Sequence, residues 1–446
     1  MMAIFNLRRV FLPIAVGIPQ NPALRKSRFM SFSTFTFNNV LPFFRAMLIT
    51  WVVTGYGGVK SVAAQEQLDE SSIPKVPVEY AGEMGLEFKR TVELIFDKAA
   101  PGIGQIRWMG ITPDSSLLLT DRISRRAYEF SLNDGQYIRS FGRTGKGPGE
   151  YGGAEAMAMD SKGDVYIMDP IYGQLLHYNR QGQYRDNKMS WVGCRGLLIN
   201  RDDALIVMEN KHGGSIMQIQ KITGLDRTVE YTTPLSSKAD QIISCYLRNP
   251  AQLCYNTTQN RLYYLEANDY MVKEIDASTG DILRQFGALV PSYNVFTLEK
   301  QQPDFKFLPR EYHGLDCGST DRGDFSLIMS EINRATSMVL IDDRYLLISH
   351  TSRERPQSPN EWTLYDLVPS DSSELIEAYS LNGAAYQSLE GIKKDSQGTV
   401  VKAKASRIGG RIASWKSQIY VYRPPPVEAA EKSNGTVDIY ELFVKR

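Results

Sequence analysis

Two kinds of alternating hairpin recur in tandem along this chain, and a repeated four-stranded unit has few ways to bury both its faces. One kind runs over Tyr128–Gly142 and again over Lys273–Gly287. In both, the Phe of a Phe-Gly pair lies six positions after the turn glycine, Gly135 or Gly280. His177–Gly182 and Glu377–Gly383 repeat the theme. The glycine accepts the positive φ that a tight hairpin turn demands. The second kind precedes the first, with Met157–Asp169 as its clearest copy: strand, Asp-x-x-Gly turn, strand. Its relatives are Gly110–Asp121, Leu197–Val207, Leu253–Tyr264, Met338–Ile348 and Arg411–Tyr422. Asp114 and Asp160 are 46 residues apart, Gly135 and Gly182 are 47 apart, and about 40–50 residues is the period of a propeller blade.

Six copies of the second hairpin predict an all-β chain, a six-bladed β-propeller with four-stranded antiparallel blades (strands A to D). The composition agrees, with 11% aromatic residues and 24 tyrosines, types that favour strands. Helical patterns of ten or more residues are missing from the repeats, which removes Rossmann and α/β-barrel folds. Spacing is uneven: Gly280 and Gly383 are 103 residues apart. The surplus is assigned to two insertions, about 288–335 before blade five and about 351–373 between its strands B and C. Blade six runs out of chain before a strand D. The alternating segment Leu86–Phe96 has no hairpin partner of its own, so it is expected to pair antiparallel with Val437–Phe443 and close the ring.

The stretch Phe141-Gly-Arg-Thr-Gly145-Lys-Gly147-Pro148-Gly149-Glu150-Tyr151, followed by an Asp-x-x-Gly hairpin, resembles the bacterial exported six-bladed β-propeller family, related to NHL-repeat propellers. The likeness is specific over Ile103–Trp191 and one of pattern elsewhere. It implies a six-bladed ring in the periplasm or at the cell surface, and it brings no catalytic residues with it.

Charge is distributed unevenly. From Met1 to Gln65 there are seven cations and no Asp or Glu, so the rest of the chain is net acidic, which argues against general nucleic-acid affinity. Within that leader Arg45 precedes a short apolar run, Ala46–Val53, and then Ser61-Val62-Ala63-Ala64. This reads as a signal peptide cleaved after Ala64, residues 1–64 being the export leader and 65–446 the propeller. The run is too short to span a bilayer. An uncleaved anchor and an organelle transit peptide are the competing readings, and Met30 or Met47 could be the true start.

Local motifs for chemistry are few. Gly142 and Gly147 have P-loop spacing, but Pro148 and Gly149 stand where Lys and Ser/Thr are needed. Four dispersed histidines make no zinc motif. Asp160–Asp164 and Asp276–Asp281 are acidic turns that suit side-chain-to-backbone bonding better than calcium, the one ion they could hold. Asn256-Thr-Thr and Asn434-Gly-Thr fit the glycosylation acceptor pattern. Four cysteines allow three pairings. A Cys245–Cys254 bond is the expected one, the intervening Asn249-Pro250 turning the chain.

One constellation points to a ligand. B–C loops and blade-to-blade loops emerge on the same face of a propeller. Blade one's B–C loop carries Arg122, Arg125 and Arg126, and the next blade-to-blade loop carries Arg143 and Lys146, opposed by Glu150 and Asp121. Together they could attract an anionic partner to a net acidic body. The expectation is a monomeric binding or scaffold module of the bacterial envelope, without cofactor, whose partner is an anionic glycan or an envelope protein. The alternative is a lactonase-like hydrolase with an axial calcium ion.

Overall fold

The computed structural model describes residues 70–95, 102–189, 194–211, 216–223, 228–235, 252–266, 270–287, 335–350, 361–367, 375–381, 393–394, 400–401, 412–425 and 434–445. The expected export leader, residues 1–64, and residues 288–334 of the first expected insertion lie outside them.

The repeats fold as the alternation requires. Blade one consists of Ile106–Ile111, Ser116–Asp121, Arg126–Ser131 and Tyr137–Phe141, paired antiparallel in chain order. Blade two is Ala156–Met159, Val165–Asp169, Gln174–Tyr178 and Tyr184–Met189. Blade three is Cys194–Ile199, Leu205–Lys211, Ile216–Thr223 and Thr228–Pro234. Blade four is Gln252–Asn256, Arg261–Leu265, Val272–Asp276 and Ile282–Phe286. Blade five is Ala335–Ile341, Tyr345–His350, Glu361–Asp366 and Ile376–Leu381. Blade six takes Ile412–Trp415, Gln418–Arg423 and Thr436–Lys445 from the end of the chain.

Blade five corrects one expectation. Glu361–Asp366 is its strand C, pairing with Tyr345–His350, so 351–373 is not one insertion. The Glu377–Gly383 theme supplies strand D, not the start of a C–D hairpin.

The ring closes as expected. The strand Val78–Glu93 pairs antiparallel with Thr436–Lys445, Leu86 opposite Leu442 and Glu93 opposite Thr436, and so becomes strand D of blade six. Its first half does more than the alternation suggested. Val78 to Met84 run parallel to Ile376–Leu381, and Lys75–Val76 run parallel to Gln285–Phe286. The N-terminal segment therefore edges blades four, five and six in turn, and blades five and six share one continuous eight-stranded sheet.

Each strand A touches the strand A of the next blade, with blade six returning to blade one. Among the described residues six apolar clusters fill the ring, one at each seam. A single blade buries neither face alone; its neighbours supply both, which is why the period and the closure are inseparable. The structure is a six-bladed β-propeller whose strand edges on the axis surround a channel of about 1010 Å³.

Candidate ligand face

The B–C loops of blades one and two are built on one device, a buried aspartate at the end of strand B. Asp121 Oδ1 accepts the Gln105 N–H at 2.5 Å, and its Oδ2 accepts the Ser124 N–H at 2.8 Å. Asp169 Oδ2 accepts the Gly152 N–H at 2.8 Å, and its Oδ1 accepts the Ile171 N–H at 3.0 Å. Each carboxylate thus ties the chain entering the blade to the loop beside it, without a ligand. Backbone N–H groups meet the charge of both aspartates, joined at Asp169 by the Gln174 side-chain amide, which donates to Oδ2 at 3.0 Å.

The Gly-rich motif forms a closed loop between blades one and two. Arg143 and Thr144 bridge in parallel to Glu150 and Tyr151. Glu150 Oε2 accepts the Gly147 N–H at 2.7 Å, and Arg143 Nε donates to Oε1 at 2.7 Å. The Gly147 N–H first, and then the Arg143 guanidinium, hold the Glu150 carboxyl below its ordinary value. Tyr151 is fully buried, donating to the Phe141 carbonyl at 2.6 Å and accepting the Ala127 N–H at 3.0 Å. Gly149 sits at φ 71°, in the left-handed region, and its carbonyl accepts the Tyr178 hydroxyl at 2.9 Å. The spacing that mimics a phosphate loop is turn chemistry.

The five expected cations separate by role. Arg122 and Arg125 line a cleft of about 290 Å³ beside the channel mouth, with Pro170 and Ile171 on its blade-two side. Both side chains are exposed, and neither forms an ion pair among the described residues. Arg126 begins strand C opposite Asp121 and does not line the cleft. Arg143 is engaged by Glu150, and the Lys146 ammonium lies 5.8 Å from the Tyr172 ring centroid. Arg107 enters the cleft unforeseen, its Nε donating to Glu155 Oε1 at 2.5 Å. It belongs to an inner strand, where nothing local distinguishes it. The A–B pairing of blade one, Ile106 opposite Asp121, sets it beside Arg122, and the apposition of blade two adds Glu155.

Asp160 Oδ1 accepts the N–H groups of Lys162 and Asp164, and Asp276 Oδ1 accepts those of Ser278 and Thr279. Among the described residues no three His, Cys, Asp or Glu side chains gather as metal ligands would. Cys254 carries a free thiol that donates to the Met338 carbonyl, and burial pushes it up to about 12. Its expected partner, Cys245, lies outside the described residues. Asn256 and Asn434 are fully buried, and their side-chain amides donate to the Asp343 and Ile95 carbonyls; in the folded chain both acceptor patterns are closed to a sugar. No helix among the described residues is long and apolar enough to cross a membrane.

Residues 101–311 match a family described as a 6-bladed beta-propeller. No curated protein matches the sequence. Among solved structures, a candidate exported protein of Bacteroides fragilis superposes with a TM-score of 0.55 at 13% identity, covering 83% of this chain and 100% of its own. A Bacteroides vulgatus protein (TM-score 0.43, 10% identity, 82% and 99% covered) and the virginiamycin B lyase of Staphylococcus aureus (0.43, 10%, 80% and 100%) are looser matches that carry nothing beyond themselves. Blade count, seam packing and family match agree: this chain is a six-bladed β-propeller, similar over residues 101–311 to that propeller family.

Proposed function

We propose that this propeller is an exported binding or scaffold module of the bacterial envelope, and that its ligand face is the B–C loop side over blades one and two. The observation that carries the reading is the cleft: Arg122 and Arg125 stand at its wall with no carboxylate partner among the described residues, beside the mouth of the axial channel. Two guanidinium groups held on a rigid loop suit a carboxylate or sulfate, because their forked donors match planar oxyanions. The acidic-free leader and the resemblance to exported propellers favour a place outside the cytoplasm.

Binding of a defined oligogalacturonate to the purified protein tests the anionic preference. Raising salt from low to physiological strength should weaken it by about tenfold, since exposed charges are screened over about 8 Å. The double variant Arg122→Glu/Arg125→Glu should lose binding, while Arg201→Glu, on the A–B turn side, should keep it. Salt-independent binding, or equal losses in both variants, would reject the site.

A further inference from the structure

Ile123 and Ile171 are the most exposed large apolar side chains among the described residues, 68% and 57%. They occupy equivalent places: each follows the buried aspartate of its blade by two positions. Neither is a loose tip. The Asp121 and Asp169 carboxylates fix the loops from within, and each isoleucine lies over the chain entering its own blade. A Cβ placed on Gly104 would run into Ile123, and one on Gly152 would run into Ile171. The glycines thus seat the isoleucines, and the remaining surface of both faces water. One exposed isoleucine is ordinary. Two held rigidly on adjacent loops, beside a cleft that Arg122 and Arg125 line together with Asp121 and Glu155, bring apolar surface and arginine into one patch, as interface centres do.

The aliphatic pair also discriminates between anionic partners. Burial of an isoleucine gains free energy only against apolar surface, which a polyhydroxylated, charged sugar chain offers little of. A protein segment offers it readily. We infer that blades one and two dock an acidic protein segment whose carboxylate enters the cleft lined by Arg122 and Arg125 while its apolar residues cover Ile123 and Ile171. This rests on the anion-binding reading of the same cleft and narrows it to a protein partner. The arginines would act largely on encounter rate and register, the isoleucines on residence time.

The test uses the full chain and two defined probes, a twelve-residue peptide alternating Leu and Asp, and an oligogalacturonate of equal charge, each followed by fluorescence anisotropy. The peptide is expected to bind more tightly than the uronate. Ile123→Ser and Ile171→Ser should each weaken the peptide by about tenfold, equivalent to about 1.4 kcal/mol. They should leave uronate binding unchanged. Both side chains are exposed, so unchanged thermal melting will show that the variants fold. Peptide binding that ignores both isoleucines overturns the inference. So does a uronate that binds as tightly as the peptide and is lost in Arg122→Glu/Arg125→Glu, an outcome that leaves the anion reading standing with a glycan in the cleft. Failure of the parent protein to bind either probe rejects both readings.

Discussion

Glu150 and Tyr151 show how much of the ligand face is internal construction. Glu150 has its two oxygens on the Gly147 N–H and the Arg143 guanidinium, so its pKa is depressed in the folded chain. A depressed carboxylate contributes stability that is complete above its unfolded value near 4.5 and is lost as pH falls through the lower folded value. Thermal melting should therefore drop on acidification below that point. The drop should be shallower in Glu150→Gln, and equal slopes would contradict the assignment. Tyr151→Phe removes one hydroxyl and strands the Phe141 carbonyl and the Ala127 N–H in the seam between blades one and two. Leaving such groups unpaired costs about 1–3 kcal/mol, so a urea midpoint equal to the parent's would be the adverse result. Both residues were legible as loop rather than site, because Phe-Gly and Pro-Gly-Glu-Tyr are local turn chemistry. Arg107 was not, since its neighbours Arg122 and Glu155 come from a different strand and a different blade.

Turns between strands A and B link blades two to six in series, on the opposite side from the B–C loops. Asp203, in blade three, accepts the Ser161 N–H and hydroxyl of blade two. The Tyr255 hydroxyl of blade four accepts the Arg201 N–H of blade three. Asp343 of blade five accepts the Thr258 N–H at 2.9 Å and the Thr258 hydroxyl at 2.7 Å from blade four. Asp342 N–H donates to the Lys416 carbonyl of blade six. These turn residues carry positive φ, 57° at Asp203, 53° at Asp342 and 51° at Asp343, a region that aspartate tolerates better than most non-glycine residues. Strain and latch separate in Asp343→Gly, which relieves the first and removes the second. We expect a net loss of about 1 kcal/mol, by the usual worth of such bonds. A variant more stable than the parent would mean that the latch is idle. At this scale the sequence was a good guide wherever both hairpins kept their turns. It misled in blade five because strand C, Glu361–Asp366, is as long as its counterparts in blades one, two and four or longer but has no turn glycine before strand D to mark it. The parallel additions of Lys75–Val76 and Val78–Met84 were invisible for a related reason: an edge strand joined from a distance leaves no hairpin in its own sequence.

The strand Val78–Glu93 makes the ring one cooperative object. Beyond Glu93 the chain stays fastened, Leu94 N–H donating to the Gly435 carbonyl and Ile95 N–H to that of Gly135, so the seam between blades six and one is bonded from both sides. Arg90 Nη2 adds a bond to the Leu132 carbonyl of blade one. Met84 and Leu94 are fully buried and Val92 nearly so, the first between blades five and six, the others between six and one. Burying three such side chains is worth about 5–9 kcal/mol, comparable to the whole stability of an ordinary domain, about 5–15 kcal/mol. The two halves of the segment should therefore differ sharply in weight. Deleting Glu70–Tyr80 removes parallel edging from blades four and five, and should leave a folded ring with a lower melting midpoint. Deleting Leu86–Ile95 removes strand D of blade six and opens an unpaired edge along Thr436–Lys445, a template for association with other chains. That variant should lose its cooperative melt and elute as aggregate. A synthetic peptide of residues 78–95, added in trans, should restore the melt, because it binds the folded ring and not the unfolded chain. Equal midpoints for the two deletions, or a cooperative melt in the second without peptide, would show that packing at the seams alone holds the ring and that the closing strand is an ornament upon it.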